Sequence, residues 1–123
     1  MRSGAKVNAE TIRQYCLKKR GKITEGFPFG EGALVFKVNG KMFLLLDLDS
    51  SPLTVNLNCD PGLAIELREK YDAVRPGYHM NEKHWNTVTL DGSIPPVEIR
   101  LMIDHSYEQI LLGMSKSARE KLL

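Results

Sequence analysis

Cationic, aromatic and amide side chains are concentrated in one twelve-residue segment of the chain. Arginine and lysine neutralise phosphates, aromatic rings stack on bases, and asparagine can both donate to a base edge and accept from it. The mixture therefore predicts a nucleic-acid-binding loop. The same composition is also typical of a structured loop whose aromatic residues are anchored in the core. The segment contains Arg75, Tyr78, His79, Asn81, Lys83, His84, Trp85 and Asn86.

A second basic segment lies at the start of the chain. Residues 1–22 contain seven lysines and arginines against Glu10 alone, whereas the other residues carry ten basic and fourteen acidic side chains. The net charge of the whole chain is only +2, so composition by itself indicates no partner. A basic start on a mildly acidic body is typical of an anion-binding edge and equally of a solvated helix face. Lys18, Lys19 and Arg20 are the phosphate-binding candidates of this segment.

The residue pattern gives metal binding and catalysis little support. His79 and His84 are five positions apart in a loop, whereas a closed zinc site needs four ligands. Cys16 is predicted on an apolar helix face and Cys59 at a strand end, and a reactive cysteine needs a nearby base and electropositive surroundings. No glycine-rich phosphate loop joins a strand to a helix. We therefore expect two reduced thiols, no metal, no cofactor and no enzymatic activity.

Three helices are predicted from capping residues and apolar spacing. Asn8 can cap the first helix, and Asp60 followed by Pro61 is typical of the start of the second. A third helix is expected after Pro95, because apolar residues recur there at helical spacing. The predicted helices are Ala9–Lys19, a segment that starts at Pro61 and buries Leu63, Leu67 and Tyr71, and a segment that starts near Pro96 and buries Ile99, Met102, Ile103, Ser106, Ile110 and Met114.

Five strands are predicted, and most of them lie in tight hairpins. Asn39-Gly40 adopts positive φ at low cost at both turn positions, which is the strongest hairpin signal in the chain. Consecutive hairpins favour an antiparallel sheet with helices packed on one face. The predicted fold is a single α+β domain over residues 1–123, a two-layer sandwich in the order α-β-β-β-α-β-β-α. Its strands are Ala33–Val38, Lys41–Leu48, Leu53–Asn58, Val74–Pro76 and Trp85–Leu90.

With the run from Arg75 to Asn81 and its continuation from Lys83 to Val88, the chain resembles the MmcQ/YjbR family, and the likeness covers about residues 8–115. The resemblance implies a fold similar to the frataxin/CyaY and secretion-chaperone two-layer folds, and DNA binding through a double-wing arrangement of the sheet. The basic first helix departs from the acidic ridge that iron delivery would need. The most specific match runs from Arg75 to Asn81 and from Lys83 to Val88. Weaker matches are Phe27–Gly30, predicted to form a packed plug, Val35–Val38, Gly40–Phe43, and Ile103, Asp104, Ser106 and Tyr107.

The sequence and this resemblance together predict a cytoplasmic DNA-binding protein without catalytic activity. No stretch approaches the roughly 18 apolar residues that span a bilayer, and no secretory signal is recognised. A protein- or peptide-binding module is the alternative, and a small-molecule pocket near Tyr78, His79 and Trp85 is a third hypothesis. The predicted nucleic-acid-binding residues are Arg75, Tyr78, His79, Lys83, His84, Asn86, Lys18, Lys19 and Arg20.

Overall fold

Three helices cover one face of a six-stranded sheet in the computed structural model, which describes residues 7–77 and 80–116. The predicted α+β class and the order of the eight predicted elements are confirmed. The structure adds one edge strand, β1, which contains a single apolar residue, Ile23, and so gave little sequence signal. The elements are α1 (Ala9–Leu17), β1 (Ile23–Gly26), β2 (Ala33–Val38), β3 (Lys41–Asp47), β4 (Thr54–Asn58), α2 (Pro61–Lys70), β5 (Val74–Pro76), β6 (Trp85–Thr89) and α3 (Pro96–Leu112).

The sheet is antiparallel throughout, with the spatial order β1-β2-β3-β4-β6-β5. Because neighbouring strands alternate in direction, the β2–β3 turn at residues 39–40 and the β5–β6 connection at residues 77–84 project from the same end of the sheet. We call this end, together with the chain that enters β1 at residues 18–22, the wing end. The two connections are about three strand spacings, or roughly 14 Å, apart.

The β2–β3 hairpin forms as the sequence predicts. Asn39 and Gly40 have φ values of 49° and 81°, the left-handed geometry that a two-residue turn needs. The Asn39 amide also donates to the Lys22 carbonyl at 3.0 Å, which fixes the tip of the hairpin against the entrance to β1. The β2–β3 ladder shifts register between Phe36 and Lys37. This bulge allows Phe43 and Leu44, which are consecutive, both to be fully buried.

The core lies between the sheet and the helices, and α3 contributes more buried side chains to it than either of the other two helices. Ile99, Met102 and Ile103 are buried against the apolar face of β2, β3 and β4, as their spacing predicts. The second helix is shallower than predicted: Ala64 is its buried residue, and Leu63, Leu67 and Tyr71 are only half-buried. None of the helices in the described part of the chain has the length and apolar character that crossing a membrane requires.

Ser106 ties α3 to the sheet where the β3–β4 ladder ends. The last paired residues there are Leu44 and Leu57, so the backbone of Phe43 and Asn58 lies beyond the ladder. The Ser106 hydroxyl donates to the Phe43 carbonyl and accepts from the Asn58 amide at 2.8 Å. Ser106 is completely buried, so water does not replace either bond. One hydroxyl thereby satisfies two backbone groups on neighbouring strands.

Replacing Ser106 with alanine should lower the free energy of unfolding by about 2–4 kcal/mol, since two backbone groups lose a partner at a cost of about 1–2 kcal/mol each. Urea unfolding monitored by circular dichroism measures the change. Ser51→Ala is the matched control, because Ser51 is exposed. A Ser106→Ala protein as stable as the Ser51→Ala protein would show that the hydroxyl contributes no net stability.

Candidate functional site

The segment that begins at Arg75 does not present all its polar residues outward. Arg75 and Lys83 are exposed, His84 and Trp85 are half-buried, and Asn86 is only 2% exposed. Tyr78 and His79 lie outside the described residues. The prediction that Asn86 contacts nucleic acid is therefore wrong, because its side chain points into the interior between β6 and α2.

Asn86 instead belongs to a network centred on Arg68 of α2, a residue that the sequence analysis missed. Arg68 Nε donates to Asn86 Oδ1 at 2.7 Å, and its Nη2 donates to the carbonyls of Glu82 and Trp85. Asn86 Nδ2 donates in turn to the Ala64 carbonyl at 3.5 Å. The guanidinium thus fastens the β5–β6 connection to the second helix. No local pattern marks Arg68, since its partners lie 14 to 18 residues away.

The β5–β6 connection is built from short internal contacts that leave Lys83 in solvent. The Asn81 side chain accepts from the Lys83 amide at 3.0 Å, and the Asn81 carbonyl accepts from the His84 amide at 3.1 Å. Gly77 is packed so closely on Trp85 that an added Cβ would lie 2.8 Å from the Trp85 Cβ. Only glycine fits at this position, so the close packing against Trp85 explains why residue 77 is a glycine.

Lys19 is engaged within the protein, unlike its neighbours Lys18 and Arg20. Its Nζ lies 2.6 Å from Asp104 Oδ1 and about 5 Å from the centroids of the Tyr15 and Tyr107 rings. Asp104 already neutralises the charge of Lys19, which makes Lys19 a poorer phosphate ligand than its exposed neighbours, and its predicted contact with phosphate stays a prediction. The ammonium instead joins α1 to α3. The Tyr107 hydroxyl donates to the Arg20 carbonyl and thereby fixes residues 18–22 of the wing end against α3.

Five exposed cations surround the wing end. None of them has a carboxylate within salt-bridge distance among residues 7–77 and 80–116. The sequence analysis named three of them as phosphate contacts. It did not name Lys22, the last residue of the basic start, or Lys41, which follows the Asn39-Gly40 turn. Asp60 and Glu82 lie at the same end, so the local charge is positive but modest. The cations are Lys18, Arg20, Lys22, Lys41 and Lys83.

Arg75 belongs to a different surface. Its strand position pairs with Thr87, Thr87 pairs with Asn56, and Asn56 pairs with Leu45, so the four form one row across the face of the sheet that carries no helices. A groove of about 810 Å³ opens along this row. The open groove comprises this row and the adjacent Ala33, Asp47, Thr54 and Thr89, with Phe29, Met42, Asp49, Pro76 and Met80 among its remaining lining residues.

The Phe27–Gly30 segment forms an exposed rim and not a packed plug. Phe27 is 48% and Phe29 is 70% exposed, so the predicted packing is wrong. The segment is a turn in which the Gly30 amide donates to the Phe27 carbonyl at 3.1 Å, and this turn lifts Phe29 away from the core to the edge of the open groove. Burial of Phe27 and Phe29 was predicted only because they are aromatic, and the geometry of the turn exposes them instead.

Neither cysteine has the surroundings of a nucleophile. Burial raises the pKa of Cys16 to about 12 and the pKa of Cys59 to about 11. Cys59 lines a small cavity with His105, but His105 Nε2 already accepts from the Asp60 amide at 3.1 Å. Within the described ranges, no three histidine, cysteine, aspartate or glutamate side chains cluster as metal ligands would.

Comparisons with known proteins agree with this architecture. The YjbR family model matches residues 18–109, most of the chain. The chain belongs to the YjbR family. The resemblance drawn from the sequence is thereby confirmed. The chain is 34% identical over 112 residues to the uncharacterised protein YjbR of Escherichia coli K12, covering 91% of this chain and 94% of that protein.

Another curated relative and two solved structures are similarly close. The uncharacterised protein YbdF of Escherichia coli O157:H7 is 34% identical over 97 residues, which is 78% of this chain and 79% of that protein. A Deinococcus radiodurans crystal structure with a DUF419 domain has a TM-score of 0.88 at 36% identity, covering 94% of this chain and 87% of that one. A Pseudomonas syringae crystal structure has a TM-score of 0.72 at 27% identity, covering 84% and 98%. These YjbR-family relatives establish the fold.

Replacing Arg68 with methionine should loosen the β5–β6 connection, because the buried Asn86 oxygen and two backbone carbonyls lose their donor. We expect a loss of about 2–3 kcal/mol in the free energy of unfolding, together with faster hydrogen exchange at the Gly77 and His84 amides. Urea unfolding measures the first change, and hydrogen exchange followed by NMR spectroscopy measures the second. Lys70→Met, at the exposed end of the same helix, is the control. Unchanged exchange in the Arg68→Met protein would contradict a fastening role.

Stability should fall as the pH rises from about 9 to about 12. Burial raises the pKa of Cys16 from 9.0 to about 12, so the folded state favours the protonated thiol. Its contribution is complete below pH 9 and is lost as the pH approaches 12, at up to about 1.4 kcal/mol per pH unit. Cys16→Ala should flatten the pH dependence in urea unfolding, whereas Val38→Ala, which is buried but does not titrate, should only shift the curve downward. Parallel curves for all three proteins would refute this assignment.

Proposed function

We propose that this YjbR-family protein binds nucleic acid without catalysis, and that the wing end forms the phosphate contacts. The observation that carries the proposal is the group of five exposed cations, Lys18, Arg20, Lys22, Lys41 and Lys83, which have no carboxylate partner in the described part of the chain. Phosphates would supply the missing anions, with release of condensed counterions as the driving force.

The spacing of the two projecting connections supports a duplex partner. The β2–β3 turn carries Lys41 and lies against Lys22, and the β5–β6 connection carries Lys83. Their separation of roughly 14 Å is close to the width of a DNA major groove, about 12 Å. Two turns at this distance can reach phosphates on both sides of a groove. Lys18 and Arg20 extend the same basic surface along the chain that enters β1.

Because the proposed contacts are to phosphates, we expect little preference for one base sequence over another. Asp60 and Glu82 at the same end reduce the net charge, which favours modest affinity that depends strongly on salt. Asn86 and Lys19 do not take part, since both are used internally. A cytoplasmic location is part of the proposal and fits two free cysteines that are both buried. The protein- or peptide-binding alternative stays a prediction.

The double variant Lys22→Gln/Lys41→Gln should bind a 20-base-pair DNA duplex more weakly than the parent protein. In fluorescence anisotropy titrations from 25 to 200 mM NaCl, the slope of log affinity against log salt should become shallower by about 1.8, or about 0.9 for each lost phosphate contact. A single strand of the same sequence serves as a second probe for the same comparison.

Lys70→Gln/Arg100→Gln removes the same charge and is the matched control, because neither residue is one of the five wing-end cations. It should keep the parent slope. The proposed interface is wrong if the control weakens binding as much as the wing-end variant does. The proposed function is wrong if neither duplex nor single strand binds the parent protein at 25 mM NaCl.

A further inference from the structure

The open groove contains a buried side-chain amide whose NH₂ group has no partner among the described residues. Asn56 is only 7% exposed, and its Oδ1 accepts from the Thr87 hydroxyl at 2.5 Å. Its Nδ2 has no acceptor among residues 7–77 and 80–116, although it can donate two hydrogen bonds. Buried polar groups without partners are exceptional in folded proteins. The floor of the groove therefore offers two N–H donors that no acceptor in the described part of the chain uses.

Arg75 adds a positive charge beside this amide. It lies in the same row, with only Thr87 between it and Asn56, and its guanidinium is exposed without a carboxylate partner in the described residues. A guanidinium presents two parallel N–H donors that match a carboxylate. We infer that the open groove is a binding site for a small organic acid, whose carboxylate pairs with Arg75 and accepts from Asn56.

The rest of the groove gives this ligand an orientation and an apolar body. Asp47 and Asp49 line the opposite end, and strand geometry places the Cα atom of Asp47 about 16 Å from that of Arg75. The two aspartates repel the carboxylate of the ligand, which therefore binds more favourably at the Arg75 end of the groove. Leu45 of the floor and Met80 of the lining supply apolar surface for the body of the ligand.

The size and charge of the groove favour a small molecule over a polymer. Its volume of about 810 Å³ lies within the range of about 300–1,000 Å³ that is usual for small-ligand sites. Its described lining carries two aspartates against one arginine, which disfavours a polyanion such as DNA. The groove reaches the wing end at Met80, but none of the five wing-end cations lines it. The inference therefore goes beyond the proposed nucleic-acid binding and does not depend on it.

Octanoate is a suitable probe, because it combines one carboxylate with a short apolar body. In two-dimensional ¹H–¹⁵N spectra of the ¹⁵N-labelled protein, titration with octanoate should shift the side-chain NH₂ signals of Asn56 and the backbone signals of Leu45 and Thr87. 1-Octanol at the same concentrations has the same apolar body without the charge and should cause much smaller shifts of these signals. Arg75→Gln should weaken octanoate binding about tenfold, as expected for one lost charge-assisted pair.

Lys83→Gln is the control for general loss of positive charge, since Lys83 is exposed but does not line the groove. It should keep the parent affinity for octanoate, and so should Lys22→Gln/Lys41→Gln. The inference is overturned if octanoate causes no shift at Asn56, if 1-octanol causes the same shifts, or if Arg75→Gln binds octanoate as tightly as the parent. None of these results bears on DNA binding, so the two proposals can fail separately.

Discussion

The fold depends on a single buried hydroxyl at the point where the central ladder of the sheet ends. Antiparallel strands satisfy one another's backbone groups only while they pair, and the bulge in β2–β3 leaves the neighbourhood of Phe43 outside that pattern. The hydroxyl of Ser106, on α3, supplies hydrogen bonds to the Phe43 carbonyl and the Asn58 amide, which the ladder leaves unpaired. As a result, α3 is positioned by directional bonds as well as by apolar packing, and the orientation of the wing end relative to the helices follows from it.

The helical layer also determines which cations are available to a partner. The Asp104 carboxylate of α3 forms a salt bridge with Lys19, and the Tyr15 hydroxyl donates to the same carboxylate at 2.7 Å. Desolvation, followed by this hydrogen bond, raises the pKa of Tyr15 to about 12, so the phenol keeps its proton over the physiological range. The neighbouring Lys18 and Arg20 are left to solvent. A basic run of three residues thus divides into one structural and two surface charges.

Local chemistry predicted much of the fold and little of the site. The Asn39-Gly40 turn, the Asn8 and Asp60 caps and the apolar stripe of α3 are specified by residues close in sequence, and all of them form as expected. Strand β1 was missed because its pairing energy comes from β2 and not from its own composition. The role of Asn86 was misread and Arg68 was missed, because the hydrogen-bond partners of each residue come from another element. Polarity indicates that a side chain needs a hydrogen bond, but the sequence does not say whether water or the protein supplies it.

The two outer strands of the sheet affect how the molecule behaves beside other copies of itself. An unpaired strand edge is a template for adding a further strand from another chain. Here β5 has only three residues and ends in Pro76, which has no N–H to donate. At the other edge β1 has four residues, and Arg13 clamps its Glu25 with two hydrogen bonds of 2.8 Å. Both borders therefore resist sheet extension, which protects a protein with a wide uncovered sheet face from aggregating edge to edge.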